Sequence, residues 1–69
     1  MKISYDKEAD AMYVKFRDSK FAKNKEIMEG VILDLDSKVE LIGIEILDVS
    51  SRYSLKDLTH LDIDMALAK

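Results

Sequence analysis

Residues 30–50 read GVILDLDSKVELIGIEILDVS, two apolar runs hinged at Asp36-Ser37-Lys38, with one carboxylate, Glu45, inside the second run. Side chains in these runs alternate with a period of two, the spacing of strands rather than of a helix. If Asp36 pairs with Val39 across a short loop, Val31 faces Ile44 and Leu33 faces Ile42. Val31, Leu33, Ile42, Ile44 and Ile46 then form one apolar face. Asp34, Asp36, Gly43 and Glu45 point the other way, together with Ile32, Leu41 and Leu47. A longer loop that shifts the pairing by an even number of residues keeps the same faces, so Glu45 belongs to the outward side either way.

Working outward, Lys2 to Asp6 reads as a short strand, and Ala11 to Arg17 alternates Met12, Val14 and Phe16 against Tyr13, Lys15 and Arg17. Between them Asp6-Lys7-Glu8-Ala9-Asp10 is a polar connector suited to a tight turn, and Asp18-Ser19-Lys20 breaks the pattern. A third strand is expected from about Lys23 to Asp36, bent near Glu29-Gly30, where glycine accommodates a bulge. A fourth is expected from Val39 to about Leu47. In the tail, Ser54 and Asp57 have the spacing of a helix N-cap, and Leu55 and Leu58 share a helical face. Residues 60–67, HLDIDMAL, then alternate strictly and predict a fifth strand from His60 to Leu67, with a helix running to the end as the rival. The expected fold is α+β: a small antiparallel β-sheet, a meander of four to five strands, with one short helix from Ser54 to Leu58. Its core is expected to hold Met12, Val14, Phe16, Val31, Leu33, Ile42, Ile44 and Ile46.

A chain of 69 residues makes one domain, 1–69, and leaves roughly 40% of its unfolded surface exposed when folded. With no cysteine and a single histidine, disulfides and a structural metal are not its means of stabilisation. A packed core, association with a copy or partner, or both must serve. The hydrophobic fraction of 48% excludes a disordered chain, and no apolar stretch approaches the ~20 residues that span a bilayer. Lys2, Asp6, Lys7, Glu8 and Asp10 interrupt any signal-peptide core, so a cytoplasmic location is expected, without a membrane partner. Net charge is -3, and the one basic cluster, Lys15, Arg17, Lys20, Lys23 and Lys25, reads as a solvated edge and loop. Nucleic acid is not an expected partner, because phosphate binding needs a concentrated basic stripe.

The carboxylates are the candidates for an acid-base or metal site. Asp34 and Asp36 share a strand face ~7 Å apart, whereas metal oxygens converge to within ~2.6 Å of one ion. In the pairing above Glu45 sits opposite Gly30, far from both. Asp6, Glu8 and Asp10 form a better chelating loop but lack the glycine turn of a calcium hand, and a turn-capping role is expected. His60 has no Ser-Asp pair beside it, and Gly30 and Gly43 open no phosphate-binding helix. Tyr5, Tyr13 and Tyr53 are expected to pack on strands and edges. No catalytic, cofactor-binding or metal residue is therefore expected.

Two stretches, YDKEADAMYVKF at Tyr5 to Phe16 and EGVILDLDSKVELIGIEILDVSSR at Glu29 to Arg52, resemble domain-of-unknown-function family 2283, short bacterial and archaeal proteins. Shared features are the tyrosine-aspartate opening, the alanine-aspartate-alanine step at Ala9 to Ala11, and the strand Gly43 to Leu47. The sequence departs from the family at Lys7, where proline is common, and at Val39 or Glu40, where a glycine often follows the turn. The family has no established activity and so supplies no site residues. The occurrence of some members beside genes for small ribonuclease-like toxins implies an antitoxin-like or immunity-like binding role. The expected function is a non-catalytic protein-binding or regulatory module, with a small carboxylate- or metal-dependent enzyme as the alternative. A homodimer is expected, covering the side that carries Ile32, Leu41 and Leu47 around Gly43, with Glu45 at its rim answering Lys15 or Arg17.

Overall fold

The computed structural model describes residues 1–54, 56 and 57. Five strands, β1 (Lys2–Asp6), β2 (Ala11–Lys15), β3 (Lys23–Met28), β4 (Val31–Leu35) and β5 (Leu41–Ile46), precede a single helical turn, α1 (Val49–Arg52). The strands form one antiparallel sheet in the order β1-β2-β5-β4-β3. A hairpin, β1–β2, and a meander, β3–β4–β5, thus meet through β2 and β5. The expected class holds, with the meander confined to the last three strands.

The hinge at Asp36 sets the register. Its amide donates to the Glu40 carbonyl at 3.0 Å, and its Oδ1 accepts from the amides of Lys38 at 2.9 Å and Glu40 at 3.0 Å. The loop is therefore Ser37-Lys38-Val39, with Val39 in the left-handed region at φ 62°, a common three-residue hairpin form. This is longer than the expected Asp36–Val39 closure, and the pairing moves by two residues. Val31 lies opposite Ile46 and Leu33 opposite Ile44. Because the shift is even, the faces survive. Met12 and Val14 lie opposite Ile46 and Ile44 on the other flank, extending the same apolar face. Between Asp34 and Leu35 the ladder slips by one, and there alternation stops, with Leu35 and Asp36 both buried.

The long third strand is a hairpin instead. Met28 lies opposite Val31, and the two-residue turn between them places Gly30 at φ 79°. Glu26 closes the turn by accepting the Gly30 amide at 3.1 Å. An unbroken strand from Lys23 to Asp36 would run about 46 Å, beyond any partner in the sheet. Folding back pairs its two halves with each other, and the expected irregularity becomes a bulge between Glu26 and Met28.

Two polar clasps hold β2 against β5. At one end Asp10, itself left-handed at φ 53°, accepts the Ser50 amide at 3.0 Å and the Ser50 hydroxyl at 2.8 Å, while its carbonyl accepts the Val49 amide at 3.1 Å. Asp10 thereby satisfies the open N–H groups at the start of α1, a task that Asp48 at the N-cap position does not perform with its own side chain. This turn precedes the helix expected from Ser54 and has no counterpart among the expected elements, because its cap comes from Asp10, forty residues away in the chain. Ser54 does act as a cap, accepting the Asp57 amide at 3.1 Å, and residues 56 and 57 are helical. The remainder of that helix and the expected strand from His60 to Leu67 lie outside the described residues.

Of the eight expected core residues, Ile42 is buried at 4% exposure; Met12, Val14, Val31, Leu33, Ile44 and Ile46 are half-buried; Phe16 is exposed. Among the described residues only α1 and residues 56 and 57 stand outside the sheet as regular structure, and they do not make a full second layer over the apolar face. Phe16 escapes because the ladder bends after Lys15. The amides of both Phe16 and Arg17 turn to the Ile42 carbonyl, at 2.8 and 3.4 Å.

Candidate binding surfaces

The second clasp uses Asp36, a carboxylate only 6% exposed. Besides the two loop amides it accepts from the Ser19 hydroxyl at 3.1 Å and pairs with Arg17, whose guanidinium also reaches Glu40 at 3.6 Å. The Glu40 amide, then the Lys38 amide, Ser19 and Arg17 hold its carboxyl below the usual carboxylate range against the opposing effect of burial. Such a group, filled by its own chain, is architecture rather than chemistry.

The Asp6 to Asp10 loop resolves in the same way. Asp6 Oδ1 accepts the amides of Glu8 at 3.0 Å and Ala9 at 3.3 Å, the expected turn-capping role. Asp10 accepts the Tyr5 hydroxyl at 2.7 Å, and this bond, followed by Ser50, lowers its pKa. The same bond raises the pKa of Tyr5.

Glu45 is half-buried on the outward face, opposite Tyr13 on β2 and Ile32 on β4 rather than opposite Gly30. The shifted register brings Asp34 opposite Gly43, one pleat away from Glu45 on the same face. Tyr13 lies across Gly43: a Cβ added there would stand 2.6 Å from the Tyr13 Cζ. The opening expected to admit a second subunit at Gly43 is thus filled by Tyr13 of the same chain. Desolvation, then a hydrogen bond to Asp34 and the charges of Asp34 and Glu45, raises the phenol pKa. A phenol held protonated in this way is a donor, not a base or nucleophile. Sequence reasoning did not connect Tyr13 with Asp34; the available signal was a glycine at an outward position between two strands, where a neighbouring ring can lie flat.

The basic residues expected to answer Glu45 are engaged elsewhere, Lys15 with Asp18 and Arg17 with Asp36 and Glu40. A cavity of about 300 Å³ opens between Met1, Lys2, Lys15, Phe16, Arg17 and Asp18. Of its cations, Lys15 and Arg17 are already paired. Among the described residues no group of three His, Asp or Glu side chains is placed to hold a metal ion, and no helix is long and apolar enough to cross a membrane.

A family model described as "Protein of unknown function (DUF2283)" matches residues 2–50. The chain belongs to that family. The DUF2283 match takes in the five described strands, both clasps around β2, and nearly all of the two stretches, Tyr5 to Phe16 and Glu29 to Arg52, that carry the resemblance seen in the sequence. Of Val39 and Glu40, the two positions where the resemblance implied a glycine, Val39 is the one in the left-handed region. No curated protein and no solved structure matches the chain.

Proposed function

We propose that this DUF2283 protein is a non-catalytic protein-binding or regulatory module of the cytoplasm, working as a homodimer. The observation that carries the reading is the sheet face built from Met12, Val14, Val31, Leu33, Ile44 and Ile46, which the described residues leave half-buried. Met28, 60% exposed and opposite Val31, borders it. A sheet normally covers its apolar face with a second layer, and contiguous apolar surface of this kind marks a contact with another protein. The carboxylates supply further support, since Asp6, Asp10 and Asp36 are spent on amides, hydroxyls and a guanidinium within the fold. An antitoxin-like role is one form such binding takes, and it rests on the family resemblance alone.

The test is affinity capture from the native host with mass spectrometry, comparing the natural chain with Met28→Lys. The reading expects a protein retained by the first and lost by the second at unchanged circular dichroism. Turnover of a phosphoester or peptide substrate that Glu45→Gln abolishes in a folded protein would overturn it in favour of the carboxylate enzyme.

A further inference from the structure

Among the described residues the two edges of the sheet are β1 and β3, and they differ in what a copy of the chain would meet there. An edge strand presents unpaired N–H and C=O groups to any strand that can align with it. When a strand pairs antiparallel with its own copy, the twofold axis passes through a residue and not between two, because paired residues must lie on the same face of the pleat. Each edge therefore has only a few registers to consider.

For β3, KNKEIM, a twofold at Lys23, Lys25 or Glu26 sets that charge against itself, and one at Asn24 sets Lys23 against Lys25 twice. The two remaining registers, at Ile27 and Met28, fall on the bulge between Glu26 and Met28, which distorts that edge. Lysines and a bulge are how natural sheets keep an edge unpaired.

For β1, KISYD, the pattern reverses. A twofold at Ser4 sets Lys2 against the partner subunit's Asp6, and does so twice. It sets Ile3 against the partner subunit's Tyr5. β1 also pairs with β2 at five consecutive positions without a bulge, so its outer edge is straight. Ile3 and Tyr5 lie opposite Val14 and Met12, on the apolar face.

We infer that the chain self-associates along β1, antiparallel about a twofold axis at Ser4, making one ten-stranded sheet whose two apolar faces form a continuous platform for the protein partner. This rests on the proposal that the protein is a homodimer and names the edge that makes it so. The clasp from Tyr5 to Asp10 fixes the inner side of β1, leaving the outer side to the copy.

The absence of cysteine makes the test simple. Ser4→Cys places one thiol on the axis, facing its copy at the ~4.5 to 5.5 Å of a directly opposed strand pair, near disulfide reach. Asn24→Cys places one on the other edge. Under mild oxidation Ser4→Cys is expected to run mainly as a covalent dimer on a non-reducing gel and Asn24→Cys as a monomer. In native mass spectrometry, Lys2→Glu and Asp6→Lys are each expected to lose the dimer alone and regain it when mixed, since the mixed pair restores both opposite-charge contacts. Cross-linking of Asn24→Cys equal to or above that of Ser4→Cys would overturn the β1 edge. So would no cross-linking of either in a chain that light scattering finds at twice 7.9 kDa, which leaves the dimer itself standing. No cross-linking together with a mass of 7.9 kDa would remove both.

Discussion

Gly43→Ala is the substitution for which the structure sets the sharpest expectation. The added Cβ would lie 2.6 Å from the Tyr13 Cζ and 2.7 Å from the Val14 backbone oxygen, where ordinary contact begins near 3.4 Å. The Tyr13 ring can give way by leaving its preferred rotamer, at about 0.5 to 1.5 kcal/mol. The Val14 oxygen cannot swing, because it belongs to the β2–β5 ladder, and parting the strands costs about 1 to 3 kcal/mol. Alanine's advantage over glycine in an extended segment returns roughly 0.5 to 1 kcal/mol. The net loss is roughly 0.5 to 4 kcal/mol, centred near 2, out of a total of about 3 to 10 kcal/mol for a domain of this size. Urea unfolding followed by circular dichroism measures it. In a Tyr13→Ala background the loss should shrink but not vanish, since the backbone contact remains. Equal stability of Gly43→Ala and the natural chain would refute the reasoning, and so would an identical loss in both backgrounds.

Val39→Gly relieves a left-handed β-branched residue that is 60% exposed, and is expected to raise stability by about 0.5 to 1 kcal/mol, the left-handed penalty less glycine's entropy; Val39→Ala, which keeps the penalty, should not, and thermal melts separate the two. Asp36→Asn should lower the melting temperature more than Asp34→Asn, since Asp36 joins the loop, Ser19 and Arg17 in one network; an equal effect of the two would deny Asp36 that role. Stability should hold from about pH 4 to about pH 10 and fall on both sides. Asp10 and Asp36 have pKa values lowered by folding, so their contribution is present above the unfolded carboxylate value near 3.9 and is lost as pH falls through the folded one. Tyr5 and Tyr13 have raised values, so theirs is present below the unfolded value near 10 and is lost as pH rises through the folded one. Urea midpoints across pH check this, and a decline between pH 5 and 9 would contradict it.

The faces of the sheet were legible because alternation survives any even shift. Val31, Leu33, Ile44 and Ile46 share a side whether the hinge loop is short or long. The register itself was not legible, because it depends on where the Asp36 carboxylate finds its amides, and a valine in the left-handed region gives no sign of the longer loop. Nor was the Glu29-Gly30 turn distinguishable from a bulge, since glycine suits both and the choice depends on whether β3 has another strand to pair with. The register error carried directly into the reading of the site. With the shorter loop Glu45 falls opposite Gly30, and with the observed one it shares Tyr13 with Asp34. The turn α1 was not legible for a similar reason, because Asp10 caps it from forty residues away in the chain, a contact that no local spacing encodes.

Self-association along β1 is tested most directly on the unmodified chain, by recording its two-dimensional amide NMR spectrum from micromolar to millimolar concentration. Shifts that grow with concentration and concentrate on Lys2–Asp6, with smaller ones on the adjoining Met12 and Val14 and none on Lys23–Met28, are the predicted result. Concentration-dependent shifts centred on Lys23–Met28, or a spectrum unchanged throughout in a chain of mass 7.9 kDa, would contradict it.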